Sequence, residues 1–141
     1  MHSIDLEKLG FEFTSKPLLI GGKAMEYYGL RKAGADIDFV ITAGDYERLA
    51  QMYQDNLREI GGDLGVCVFE FEIWKSICLF GYQFLSVGAI ERDAYLIISL
   101  DRLLFLKALG MNESKYHRDL ELIVDKVLRL QYEEVHHSSA P

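Results

Sequence analysis

Cysteine and proline are scarce in this chain, with two of each in 141 residues. Cys67 and Cys78 form no C-x-x-C, so they read as two structural thiols of a reducing compartment. Two prolines and twelve scattered glycines exclude collagen and low-complexity linkers. No long hydrophobic run occurs. The longest apolar stretch, 77–90, is broken by Gly81, Gln83, Ser86 and Gly88 and falls short of the ~20 residues a spanning helix needs. Positive charge is in deficit as well: 15 Lys and Arg stand against 22 Asp and Glu, giving a net charge of −7 and a pI near 5.0. That balance excludes coating of nucleic acid by bulk electrostatics and a polybasic membrane surface, so neither a long nucleic acid nor a membrane is an expected partner. The opening residues, Met1 to Asp5, lead into neither a basic segment nor an apolar one, so no secretory signal is expected and the expected location is cytoplasmic.

Half of the residues are apolar and 26% are charged, the balance of a globular domain and too apolar for disorder. No repeat or linker divides the chain. Residues 1–131 read as a single domain and 132–141, which end in HHSSAP, as a frayed tail.

Periodicity gives the elements. A short helix is expected over 4–10, and the apolar run Leu18–Ile20, stopped by Gly21-Gly22, reads as a buried strand. A helix is expected over 23–32. Residues 35–42 alternate as a strand, with Asp36 and Asp38 on one face and Ile37, Phe39 and Ile41 on the other. Thr42 is placed to cap a helix over 45–60, which Gly61-Gly62 would stop. Residues 64–74 alternate again. As one strand, they place Cys67, Phe69, Phe71 and Ile73 on one face and Val66, Val68, Glu70, Glu72 and Trp74 on the other. Residues 75–92 fit either a strand or a short helix. A strand over 94–98, a helix over 100–110 capped by Ser99, and an amphipathic helix over about 113–131 complete the chain. The pattern predicts an α/β (α+β) fold: a mixed β-sheet with helices packed on it and helices at the C-terminus.

The acids carry the chemical information. Asp36 and Asp38 lie ~7 Å apart along one strand face, where two carboxylates repel each other. A divalent cation relieves that repulsion, since Mg²⁺ takes one or two carboxylates plus substrate phosphates. The plainer reading is a wet polar face. Glu70 and Glu72 repeat the arrangement on another expected strand, and three acids around metal suit phosphoryl or nucleotidyl transfer. Gly21-Gly22 stands at a strand–helix junction, where glycine lets backbone amides approach a phosphate; a plain tight turn is the other reading. Lys107 sits in SLDRLLFLKALG, a helix apolar nearly all round, so it must be paired or lose its proton. Asp119 is its natural partner, and bound triphosphate is the alternative.

The segment LLIGGKAMEYYGLRKAGADIDFVIT resembles the nucleotidyltransferase superfamily, the polymerase-beta-like fold, in its minimal single-domain members. There an apolar strand, Gly-Gly or Gly-Ser, a helix and an Asp-x-Asp strand follow in order. The later stretch ISLDRLLFLKALGMNESKYHRDLELI is similar to the end of the toxin–antitoxin and abortive-infection relatives, with Lys107, Lys115, Arg118 and Asp119 in the charged places. The resemblance covers residues 17–42 and 97–123. It implies a two-metal Mg²⁺ site on Asp36 and Asp38 with a third acid. Aspartate is usual at that third position; here Glu72 is favoured and Glu70 is the alternative. It further implies that Gly21 and Gly22 hold the triphosphate, with Lys23, Arg31 and Lys107 as candidate phosphate contacts, each equally well read as one half of a salt bridge. The implied activity is transfer of a nucleoside monophosphate from an NTP to a hydroxyl on a protein, a small molecule or an RNA end. The second reading is a catalytically inactive binding or regulatory protein on the same fold, one member of a toxin–antitoxin-like pair with a protein partner.

Overall fold

A computed structural model of the chain describes residues 3–138. The apolar runs become strands β1 (Leu18–Ile20), β2 (Ile37–Val40), β3 (Leu57–Ile60), β4 (Asp63–Val68) and β5 (Phe71–Trp74). A two-residue pair, β6 (Ser76–Ile77) and β7 (Phe80–Gly81), stands apart as its own hairpin. With β8 (Ile90–Glu91) and β9 (Leu96–Ile97), the first five form one seven-stranded sheet in the order β3-β4-β5-β2-β1-β9-β8. β2 runs parallel to β5 and β1 parallel to β9, while the other neighbours are antiparallel. The helices are α1 (Gly21–Tyr27), α2 (Ala43–Met52), α3 (Tyr82–Leu85), α4 (Leu100–Leu109) and α5 (His117–Ser138). The fold is therefore the expected mixed α/β class. Among the described residues no helix is long and apolar enough to cross a membrane.

Period-two alternation fixes what each face buries. Leu19, Ile37, Phe39, Val66, Val68, Phe71, Ile73 and Ile97 pack against Leu6 and Leu9 of an N-terminal 3₁₀ turn and against Tyr46 and Leu49 of α2. Leu18, Ile20, Val40 and Trp74 on the opposite face pack under α1, α3, α4 and α5 through Met25, Leu85, Leu103 and Ile123. The caps expected at Thr42 and Ser99 form: Thr42 Oγ1 accepts from the Asp45 amide at 3.3 Å, and Ser99 Oγ from the Arg102 amide at 3.2 Å. Asp45 is fully buried and also accepts from the Thr14 amide and hydroxyl, at 3.0 and 2.9 Å, which pins the N-terminal segment over α2.

Three expectations are corrected. The helix expected over 45–60 ends at Met52, and Leu57–Ile60 is a strand instead. Gly61 and Gly62, at φ +60 and +92, make the two-residue turn that pairs Ile60 with Asp63, so this Gly-Gly closes a hairpin instead of stopping a helix. The single strand expected over 64–74 is also a hairpin, turning at Phe69-Glu70, where Phe69 has φ +54. That turn reverses the assignment of faces. Cys67 pairs with Glu72 and Gly65 with Trp74, so all four look the same way, while Val66 and Val68 join Phe71 and Ile73 in the core. Finally, α5 continues to Ser138, past the boundary expected at residue 131; residues 139–141 of the expected tail lie outside the described ones.

Candidate functional site

Strand register builds the site. In the parallel β2–β5 pair, Asp38 stands directly across from Glu72, and in the antiparallel β4–β5 pair Glu72 stands directly across from Cys67. Adjacent strands lie ~4.8 Å apart, so the three form a row on one face. This is the face that the helices cover over Leu18, Ile20 and Val40. At the β4–β5 side the row is only partly covered: Asp38, Glu72 and Cys67 are half-buried, and Asp36, one residue before β2, is exposed.

Asp38 is the constrained member of the row. Burial, the hydrogen bond to the Glu72 carboxyl and the Glu72 charge push its pKa up to about 7, with a smaller push from Asp36. Only the Trp74 indole N–H acts the other way, donating to Asp38 Oδ1 at 3.4 Å. A Cβ built on Gly21 would stand 2.6 Å from Asp38 Oδ2, so the carboxylate lies against a position that only glycine can fill. Gly21 also has φ +67, a left-handed conformation that costs a side chain. Trp74 itself is 5% exposed and its ring lies flat on Gly65. Cys67 feels the same row: burial and then the Glu72 charge raise its thiol pKa, and Arg58 opposes them.

The two candidate glutamates separate clearly. Glu70 lies in the hairpin turn, and both its oxygens accept from Lys8 Nζ, at 3.0 and 2.9 Å. That hydrogen bond holds its carboxyl below the usual range. Glu72 stands beside Asp38. Glu70→Gln is therefore expected to cost under ~1 kcal/mol, as exposed pairs do, and to leave metal and nucleotide responses intact. Glu72→Gln is expected to abolish them. Melting curves of both variants with and without Mg²⁺ and NTP check this.

Two of the three cations proposed for phosphate, Arg31 and Lys107, are engaged elsewhere. Asp119 is 5% exposed and accepts from Arg31 Nε at 2.7 Å and Arg31 Nη2 at 2.9 Å, and it pairs with Lys107 Nζ at 2.9 Å. Burial alone would raise the Asp119 carboxyl, but its hydrogen bonds to Arg31 and Lys107 and their charges hold it below its ordinary range. Lys107 therefore has the partner expected from the sequence; that Arg31 shares it was not foreseen. Lys23 is half-buried in the first turn of α1 and forms no ion pair among the described residues. Lys115 and Arg118 make surface pairs with Glu113 and Glu121.

The donor set is hard oxygen in a place where two carboxylates abut and, among the described residues, neither takes part in a salt bridge. Those are residues a divalent ion of the Mg²⁺ type fits. Among the described residues, however, no three His, Cys, Asp or Glu side chains already stand together as a metal-holding group. Asp38 and Glu72 are brought together, and Asp36 is not. No family model, curated protein or solved structure matches the chain.

Proposed function

We propose that the chain is a Mg²⁺-dependent nucleotidyltransferase that moves a nucleoside monophosphate from an NTP to a hydroxyl acceptor. The observation that carries the reading is the Asp38–Glu72 pair, set in register on neighbouring parallel strands with Asp38 pressed against Gly21. A fold selected only for stability gains nothing from two abutting, half-buried carboxylates. Asp38 and Glu72 would hold the metal, which when bound neutralises triphosphate charge and acidifies the acceptor hydroxyl. Glu72 would accept the proton of that hydroxyl, and Trp74 would orient Asp38 through its indole N–H. Backbone amides of Gly21 and Gly22, the first residues of α1, would contact the triphosphate. The net charge of −7 fits a cationic small molecule or a protein hydroxyl as acceptor better than a long RNA.

A second reading has its own observation. Arg31 and Lys107 are both held by Asp119, as they would be in a protein that binds no phosphate. A catalytically inactive binding or regulatory protein, working with a protein partner, would have that arrangement.

Melting curves with ATP, GTP, CTP and UTP, with and without Mg²⁺, test the first reading. A nucleotide at a hundred times its Kd adds about 2.7 kcal/mol, a shift of several degrees. One or more NTPs are expected to raise Tm only with Mg²⁺. No shift with any nucleotide would overturn the reading and favour the binding protein.

A further inference from the structure

α5 carries two apolar stripes, and the domain covers one of them. Ile123 lies in the core beneath the sheet, with Val127 packed against it. Val124, Leu128 and Tyr132 follow one another at four-residue steps, so they form a second ridge along the helix, and they are 41%, 50% and 65% exposed. The helix also outruns the body it packs on. Every residue from Leu128 to Val135 is exposed, so the later turns of α5 project past the contacts made by the earlier ones. A projecting helix that met only water would be polar all round, whereas an apolar ridge of this kind marks a surface that another molecule covers.

The charges beside the ridge say what covers it. Asp125 and Arg129 run along one flank, one helical turn apart, and neither takes part in an ion pair among the described residues. We infer that the chain forms a symmetric dimer in which two α5 helices cross antiparallel about a two-fold axis at Leu128. Residues 124 and 132 lie equally far from 128, so the axis sets Val124 against the partner's Tyr132 and Leu128 against the partner's Leu128. It keeps each flank on its own side of the contact. With 1.5 Å of rise per residue, Asp125 then stands only ~3 Å along the axis from the partner's Arg129, and Arg129 from the partner's Asp125. Two unanswered charges of one chain thus become two ion pairs of the dimer. A parallel two-fold would instead set Asp125 level with the partner's Asp125 and Arg129 level with the partner's Arg129, like against like. An anionic lipid surface would call for a basic polar face, and Glu121, Asp125 and Glu133 make this one mixed. One crossing of two helices is a small contact, and interfaces below ~1,200 Å² give weak complexes, so the dimer is concentration-dependent. The inference does not rest on the nucleotidyltransferase reading.

Sedimentation equilibrium of the full chain, from low micromolar to near-millimolar concentration, tests it. Wild type is expected to pass from monomer to dimer over that range. Leu128→Glu is expected to raise the dimer Kd at least tenfold. Asp125→Arg and Arg129→Asp are each expected to raise it at least fivefold, and the double variant Asp125→Arg/Arg129→Asp to return it to within twofold of wild type. All three positions are exposed, so each variant should keep the wild-type circular dichroism spectrum, which checks that it has folded. Wild type that stays monomeric throughout, a dimer that Leu128→Glu leaves intact, or a double variant no tighter than the single ones overturns the inference. The last of these would do so by showing that Asp125 does not meet the partner's Arg129.

Discussion

Asp38→Asn is expected to abolish the metal-dependent response to nucleotide and, at pH 8, to raise the melting temperature by several degrees. The two effects share one cause. Burial and Glu72 lift the Asp38 pKa to about 7 in the folded chain, against ~3.9 when unfolded. Between those values the folded state keeps a proton that the unfolded state has lost. Stability therefore falls as pH rises from about 4 through 7, and the full penalty, on the order of a few kcal/mol, is present above pH 7. Asparagine never ionises and can donate to Glu72, so the variant's Tm should be nearly flat over that window and should exceed wild type at its upper end. Substitutions at half-buried positions usually destabilise, and a gain here is the signature of a site held against stability. Melting curves at pH 5, 6, 7 and 8 decide it. A variant that melts at or below wild type at pH 8 would show that the carboxylate pair is not in conflict.

Gly21→Ala is expected to cost roughly 2–4 kcal/mol and to remove the metal response, whereas Gly22→Ala is expected to cost under ~1 kcal/mol. The two glycines look alike in sequence and differ in space. Alanine at 21 would have to take φ +67 and place its Cβ 2.6 Å from Asp38 Oδ2 and 3.2 Å from Asp38 Cβ and Cγ. Asp38 cannot easily step aside, because Glu72 and Trp74 flank it. At 22 a Cβ would meet Arg31 Nη1 and Ala33 at 3.6–3.7 Å, ordinary contact distances. Chemical denaturation of both variants measures the difference. Equal losses would mean that the close approach of Gly21 to Asp38 does not govern this corner of the fold.

How far the sequence could be read depended on range. Local signals were legible: the two N-caps, the Asp-x-Asp strand, Gly-Gly before a helix, and the pairing of Lys107 with Asp119, which sit near each other on consecutive helices. Two hairpins were not. Gly61-Gly62 satisfies a helix stop and a tight turn equally well, and Leu57 and Ile60 fit both periods. Phe69 takes a positive φ without being glycine, so FEFEIW carries no turn signal and reads as one strand. Eleven residues is long for a strand, which typically runs ~5–6, and that length was the clue to a turn. The missed turn hid Cys67 from the acid row and left Glu70 and Glu72 undecided. Arg31 and Asp119 are 88 residues apart, and no spacing rule joins them.

The account stands on Asp38 and Glu72 forming a metal site, and calorimetric titration with Mn²⁺ at pH 7 tests that most directly. Run in two buffers of different ionisation enthalpy, it counts protons as well as ions. Wild type should bind Mn²⁺ saturably and release a proton as the shared carboxylate proton gives way to the cation. Asp38→Asn should do neither. Wild type that takes up no Mn²⁺, or Asp38→Asn that takes it up as wild type does, would contradict the account.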